Sequence, residues 1–216
     1  MRLKLFAVAG AAAVTLALAT AGVAAVINGT AGNDVLRGTM RADEIRAFAG
    51  DDQLYAHGGP DLERAGAGND LVRAGDGADV AYGGLGSDVV WGGDGGDRLY
   101  GGSDDDRVGG GNGDDRVAGN RGNDTVSGGD GNDTMFGGWG ADRVSGGNGD
   151  DRLHALAADG QLDVLNCGDG SDEAFVLRAE RPLTRLHGCE KLYLVVDLTA
   201  DQAEGETATA DAEADG

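Results

Sequence analysis

The sequence is poor in the residues that usually build a globular core and in positive charge. Its 216 residues include four Phe, four Tyr, two Trp and two Pro. So few aromatic side chains cannot dominate a core, and so few prolines exclude a collagen or a proline-rich linker. Only 17 Lys and Arg stand against 38 Asp and Glu, a net charge of −21. Because nucleic acid and anionic membrane surfaces repel such a chain, we expect neither as a partner.

Glycine and acidic residues are abundant instead. The 42 glycines are about a fifth of the chain, against a usual share of about 7%. Backbone entropy and self-repulsion both oppose the collapse of such a chain. We therefore expect it to fold only if cations neutralise its carboxylates.

The N-terminus has the layout of an export signal. Arg2 and Lys4 precede an apolar run that reaches about Leu18, and small residues follow as far as Ala25. This order predicts a signal peptide over residues 1–25 and a secreted, extracellular protein. An uncleaved membrane anchor is the alternative, although the run is short for a span of about 20 residues.

A nine-residue repeat dominates the rest of the chain. Aspartate recurs in every ninth position from Asp34 to Asp151 without a slip, which makes fourteen repeats. Glycine stands two residues before the aspartate in all repeats but two, and glycine pairs often stand four and five before it. An apolar residue stands two after it, with Glu63 as the charged exception. The unit is therefore Gly-Gly-x-Gly-x-Asp-x-apolar-x.

This unit resembles the RTX, or haemolysin-type, calcium-binding repeat family over residues 29–154. The resemblance implies a parallel β-roll with calcium between stacked turns. No catalytic motif accompanies it, because His57, His154 and His187 are scattered and no serine-based motif is present. We therefore expect a protein that is not an enzyme.

The repeat itself predicts the same all-β fold, a parallel β-roll or β-helix solenoid. Six glycine-rich residues suit a turn that needs positive φ, and three residues form a short strand with the middle side chain inward. Two repeats then make one coil, so fourteen repeats predict about seven coils.

Stacked coils bring turns that are eighteen residues apart directly over one another. Their aspartates repel unless a cation lies between them, and calcium accepts six to eight oxygen ligands in loose geometry. The predicted carboxylate ligands are Asp70, Asp79, Asp88, Asp97, Asp106, Asp115, Asp124, Asp133, Asp142 and Asp151. The predicted glycine positions are Gly84, Gly86, Gly93, Gly95, Gly102, Gly111, Gly113, Gly122, Gly129, Gly131, Gly138, Gly140, Gly147 and Gly149. We expect about eight Ca2+ ions and at most about twelve.

Five further aspartates are expected to form weaker sites: Asp34, Asp43, Asp52, Asp61 and Asp172. The first four lie in residues 29–64, which depart from the repeat and suit a degenerate N-terminal cap. In that region Glu63 stands where an apolar residue belongs, and Leu62 takes its place if the strand slips by one residue.

The C-terminal part breaks the phase by three residues after Leu153. An isolated cysteine pair in an exported chain favours a disulfide over a metal site, so we expect a Cys167–Cys189 bond. Residues 155–196 then form a disulfide-linked cap, similar to the closed end seen in exported members of the repeat family. Residues 197–216 are an acidic tail that we expect to be disordered.

These features predict an exported, non-catalytic calcium-binding protein with a structural or binding role. The alternatives are an accessory module of a secreted toxin or enzyme system, or a cell-surface adhesin. We expect no membrane insertion of the mature chain, and a protein or glycan partner is left open. On the surface, Tyr82 and Tyr100 should stack on one sheet with Trp91 on the other.

Overall fold

The computed structural model describes residues 3–6, 15–16, 24–177, 181–182 and 184–195. Most of the predicted signal peptide and all of the acidic tail at 197–216 lie outside these residues. The described chain contains strands and no helix. Two parallel sheets take alternate strands, eleven in one and ten in the other, so the chain winds as a β-solenoid of about nine turns.

Each coil contributes one strand to each sheet. In chain order the strands are β1 (Leu3–Phe6), β2 (Thr15–Leu16), β3 (Ala25–Asn28), β4 (Val35–Arg37), β5 (Glu44–Ala49), β6 (Gln53–Gly58), β7 (Leu62–Ala67), β8 (Leu71–Asp76), β9 (Val80–Leu85), β10 (Val89–Asp94), β11 (Arg98–Ser103), β12 (Arg107–Asn112), β13 (Arg116–Arg121), β14 (Thr125–Asp130), β15 (Thr134–Trp139), β16 (Arg143–Asn148), β17 (Arg152–Ala155), β18 (Val164–Asp169), β19 (Glu173–Leu177), β20 (Arg185–His187) and β21 (Lys191–Val195). Odd-numbered strands form the larger sheet, and even-numbered strands form the smaller one.

The register confirms the predicted parallel β-roll. Val90 pairs with Val72 on one side and with Val108 on the other, a step of eighteen residues that equals two repeats. One coil is longer: Val144 pairs with Leu165, because three extra residues lie between β17 and β18. The solenoid also extends beyond residues 29–154, since β3 precedes that range and β18–β21 continue both sheets after it. The segment predicted as a cap therefore contains the last coils of the same solenoid.

The core is a thin layer between the two sheets. Its main rows are the apolar residues two positions after each aspartate, such as Leu54, Val72, Val90 and Leu99, all with no exposed surface. Burying one such side chain contributes about 1.5–3 kcal/mol. Each coil supplies few such residues, so the core stays narrow along its whole length.

Glu63 lies inside this core, and the strand that carries it does not slip. Glu63 pairs with Ile45 and Ala81, and Leu62 keeps its own partners in the neighbouring strands. The interpretation that Leu62 replaces it is therefore wrong, because the eighteen-residue register is held on both sides of β7. Glu63 has no exposed surface, and neither carboxyl oxygen has a hydrogen-bond partner among the described residues. Burial, reinforced by nearby aspartates such as Asp79, raises the pKa of Glu63 well above its usual value.

The disulfide forms as expected. Cys167 and Cys189 are bonded with a Cα–Cα distance of 5.1 Å. Cys167 is fully buried in β18, where it follows Gly146 in the column of first glycines. The bond links positions 22 residues apart and contributes about 3 kcal/mol in the chain-entropy account.

Ring side chains form columns on the outer face of the larger sheet. Tyr82 and Tyr100 stack with ring centroids 4.9 Å apart, and Trp91 lies on the smaller sheet, as expected. A longer column joins Phe136, His154, Phe175 and Tyr193 at 4.4, 4.6 and 4.9 Å. The rings cover one another's faces, so each column stabilises the pairing of its strands. The ring faces are therefore not presented as a flat surface on which a sugar could stack.

Replacing Glu63 with valine is expected to stabilise the solenoid. A buried carboxyl without a partner costs about 1–3 kcal/mol, and an apolar side chain removes that cost. Because the folded-state pKa of Glu63 is raised, its contribution to stability decreases as pH rises above the usual glutamate value. E63V should therefore raise the thermal midpoint in saturating calcium, and by more at pH 8 than at pH 5.

The control is Glu63→Gln, which cannot titrate but keeps a buried polar side chain at the same position. E63Q should show the same difference between pH 5 and pH 8 as E63V, with a lower thermal midpoint than E63V. An E63V midpoint equal to or below that of the wild type at both pH values would show that Glu63 is not a destabilising group.

Candidate metal centre

The aspartates of the repeat form two rows, one along each edge of the solenoid. Nearly all of their surface is buried, with at most 6% exposed. The first row, which precedes the strands of the smaller sheet, is Asp34, Asp52, Asp70, Asp88, Asp106, Asp124, Asp142 and Asp163. The second row is Asp43, Asp61, Asp79, Asp97, Asp115, Asp133, Asp151 and Asp172. The structure thus brings together every aspartate predicted as a ligand.

A ladder of hydrogen bonds holds each row in register. The backbone N–H of one aspartate donates to Oδ1 of the aspartate one coil later, as from Asp88 to Asp106 at 2.7 Å. The second row ends at Glu190, whose Oε2 accepts the N–H of Asp172 at 2.9 Å. We call this the inner ladder. Asp163 and Glu190 were not among the predicted ligands, although an eighteen-residue step from Asp172 leads to Glu190.

A second ladder lies on the outer rim of the turns and points the other way. The side-chain oxygen of the residue before the aspartate accepts a hydrogen bond. The donor is the backbone N–H of the residue at the same position one coil later. Asn33, Asp51 and Asn69 form such a series, with distances of 2.9 Å. We call this the outer ladder. The sequence carries a signal for it, because Asn, Asp or Ser stands before the aspartate in many repeats.

The second carboxylate oxygen of most aspartates has no donor. Oδ2 is buried and lacks a hydrogen-bond partner among the described residues in thirteen turns, which we call open turns. They are the turns of Asp52, Asp61, Asp70, Asp79, Asp88, Asp97, Asp106, Asp115, Asp124, Asp133, Asp142, Asp151 and Asp172. A buried acceptor without a partner carries a large desolvation cost. The open turns therefore need a positive charge.

Backbone oxygens converge on the same positions. A Cβ added to Gly83 would collide with Oδ2 of Asp88 and with the carbonyl oxygen of Gly101, one coil later. Gly92, Gly110, Gly119 and Gly128 repeat this arrangement with their own aspartates. The first glycine of each pair thus leaves space between a carboxylate and a carbonyl oxygen. These first glycines were not among the predicted site residues, although they are as regular as the second ones.

The glycines that were predicted set the conformation of the turn. Gly84, Gly93, Gly102, Gly111, Gly129, Gly138 and Gly147 have φ between 108° and 126°. Gly86, Gly95, Gly113, Gly122, Gly131, Gly140 and Gly149 also have positive φ. Each packs against a backbone carbonyl of the preceding coil, so a side chain there would be strained and crowded.

Burial is the main cause of a raised pKa throughout the open turns. The hydrogen bond from the backbone N–H of the inner ladder lowers the pKa, but by less than burial raises it. Nearby carboxylates raise the pKa further. The pKa is about 8 for Asp61, Asp88, Asp106 and Asp142, about 7 for Asp52, Asp115 and Asp124, and about 6 for Asp70, Asp97, Asp133 and Asp151. Without a cation, the two edges thus resist full ionisation near neutral pH.

The donor set fits calcium. Among the described residues, no three or more His, Cys, Asp or Glu side chains cluster as a metal site. Backbone carbonyl oxygens lie beside the carboxylates, as at Gly83. Calcium accepts such a mixture of hard oxygen ligands, whereas zinc favours nitrogen and sulfur. The buried, unpartnered Oδ2 atoms and the facing carbonyls supply the required type of oxygen.

Comparison with known proteins agrees with this geometry. The family model for the RTX calcium-binding nonapeptide repeat matches in overlapping copies that run continuously from residue 27 to residue 173. The chain belongs to the RTX calcium-binding nonapeptide repeat family. RTX repeats imply calcium binding in a β-roll, which is the fold observed. Comparison with curated proteins gave no match. Within the described part of the chain, no helix is long and apolar enough to span a membrane.

The raised pKa values predict that acid can partly replace the metal. Because the folded-state pKa of these aspartates is raised, a metal-free folded chain binds more protons than an unfolded chain. Their contribution to stability is therefore fully present at a pH below 3.8, the ordinary pKa of aspartate. This stability is lost as pH rises through about 6 to about 8. In EDTA we expect β-type circular dichroism at pH 5 that disappears by pH 8.

Calcium added at pH 8 should restore the β signal. A chain without carboxylates of raised pKa would show no such gain on acidification. A metal-free protein that loses β structure between pH 8 and pH 5 would contradict the assignment of the buried Oδ2 atoms as the main source of instability.

Proposed function

We propose that this protein is an exported, non-catalytic calcium-binding protein whose solenoid folds when calcium binds. Its role is then that of an extracellular structural or binding protein. The observation that carries the proposal is the set of thirteen buried Oδ2 atoms, arranged in two rows, that have no hydrogen-bond donor within the described part of the chain. Such rows are destabilising alone and become stabilising when cations lie beside them.

The open turns set the number of ions. Neighbouring open turns form five pairs in the first row and six in the second. This count lies between the eight ions expected and the ceiling of twelve. Calcium would supply the positive charge that the Oδ2 atoms lack. Since the turns are assembled only in the folded chain, the free energy of ion binding becomes free energy of folding.

Three observations support export and a non-catalytic role. The Cys167–Cys189 bond fits an oxidising compartment, as does the arrangement of basic and apolar residues at the N-terminus. His154 lies between the rings of Phe136 and Phe175, and burial lowers its pKa to about 4. A neutral, stacked imidazole contributes to packing and is a poor general base.

Calcium titration of the mature protein tests the proposal. In EDTA at pH 8 the circular dichroism should be mainly that of a random coil, and millimolar calcium should produce β structure. Calorimetry should give between eight and eleven ions per chain. Asp115→Asn should abolish about two of them, because Asp115 lies between Asp97 and Asp133 in the second row.

The matched control is Asp114→Asn. Asp114 belongs to the outer ladder and accepts the N–H of Asn132, and asparagine keeps an oxygen for that bond. D114N removes the same charge and should leave the number of ions unchanged. A folded protein in EDTA at pH 8 and low salt, or a stoichiometry of one or two ions, would overturn the proposal.

A further inference from the structure

The first two turns of the aspartate rows are closed by the protein itself. Oδ2 of Asp34 accepts the backbone N–H of Thr30 at 2.6 Å and its hydroxyl at 3.0 Å. Oδ2 of Asp43 is bound in the same way by Thr39, at 2.5 and 2.9 Å. These are the oxygens that lack a partner in the thirteen open turns. A hydroxyl and an N–H thus occupy the place where the other turns need a cation.

The backbone of these turns differs as well. The residue four positions before the aspartate has positive φ in every open turn, and it is usually glycine. Phe48, His57 and Asn120 keep that conformation, with φ of 83°, 83° and 79°. Thr30 and Thr39 occupy the same position and do not have positive φ. Their N–H and hydroxyl groups are therefore turned toward the aspartate.

The four turns of residues 29–64 are of two kinds, which differ in whether Oδ2 of the aspartate has a hydrogen-bond donor. All four were expected to be weak metal sites of a degenerate cap. Asp52 and Asp61 follow Phe48 and His57, which adopt a left-handed conformation unfavourable for bulky residues. Their Oδ2 atoms are open. The metal-type turn is thus kept at Asp52 and Asp61 in spite of strain, and it is absent at Asp34 and Asp43.

We propose that Thr30 and Thr39 replace the ion in the turns of Asp34 and Asp43, so that this coil closes without metal and templates the calcium-dependent coils. The proposal rests on the proposed binding of calcium by the open turns. Asp34 and Asp43 donate their N–H groups to Oδ1 of Asp52 and Asp61, at 2.7 and 2.6 Å. The closed coil therefore presents the first two donors of the inner ladder to the first two open turns.

Local closure explains why such a template is useful. The first coil of a solenoid has no neighbour on which to form, and later coils gain the interface with the coil before them. The Thr30–Asp34 and Thr39–Asp43 bonds span only four residues, so the entropy of closing each loop is small. Calcium-dependent coils can then be added in order from that end.

The experiment uses the full mature chain with the double variant T30V/T39V. Valine keeps the β-branched shape and removes the two hydroxyl donors. We expect the same number of bound calcium ions as in the wild type. Refolding after addition of calcium should be slower by about tenfold, because bonds formed early in folding control the folding rate. The rate of unfolding after addition of EDTA should change little.

The matched control is T125V/T134V. These threonines lie in β14 and β15, one residue after their aspartates and outside the turns that hold Oδ2. Both the ion number and the refolding rate of this variant should equal those of the wild type. An unchanged refolding rate in T30V/T39V overturns the proposal. A smaller number of ions in T30V/T39V also overturns it, because Asp34 and Asp43 would then be metal ligands.

Hydrogen exchange of the wild type in EDTA at pH 8 gives an independent test if T30V/T39V fails to fold. Amides of residues 25–49 should exchange at least tenfold more slowly than those of residues 65–154, since closed turns persist without metal. Equal exchange in the two regions overturns the template. The wild-type calcium titration is a separate measurement, so a failure of calcium binding itself is distinguished from a failure of the template.

Discussion

The stacking of one aspartate on the next is the interaction on which the whole solenoid depends. Each coil is held to its neighbour by an N–H bond to Oδ1, as between Asp97 and Asp115 at 2.8 Å. The same contact buries a row of carboxylates, whose mutual repulsion and desolvation oppose folding. The bond that fixes the register therefore creates the demand for cations. The fold and the proposed requirement for metal are consequences of one arrangement.

The two ladders divide the hydrogen-bonding groups of each turn. In a typical turn the inner ladder uses Oδ1 of the aspartate and the outer ladder uses the side chain before it, so the N–H groups of stacked turns are satisfied in both directions. Neither ladder uses Oδ2. The first glycine of the pair, which has no side chain, lies between Oδ2 and a carbonyl oxygen of the next coil. This division explains why both glycines and both acidic or amide positions recur in the repeat.

The nine-residue period was sufficient to predict the coil, the register and the two edges, because every turn repeats the same steric requirement. The disulfide was predicted separately, from a single cysteine pair in a chain with an export signal. Three features depend on contacts that the period does not encode. Glu63 stays in the core because its flanking turns fix the register more strongly than its burial opposes it. Asp163 enters the first row through a coil with three extra residues. Thr30 and Thr39 close their turns through hydroxyls whose direction follows from the backbone conformation.

The turns differ along the solenoid more than the core does, and the proposed metal dependence would vary with them. Ile45 and Leu54 in the N-terminal coils are as fully buried as Val90 and Leu99 in the middle, so hydrophobic burial distinguishes these coils very little. The state of Oδ2 does distinguish them, since threonine donors satisfy it at Asp34 and nothing among the described residues satisfies it at Asp88. Because the core is narrow and of constant width, differences in stability between coils arise in the turns at the two edges. In the proposed calcium-dependent folding, substitutions in a single turn would therefore make one coil independent of metal while the next coil, with nearly the same core, would require it.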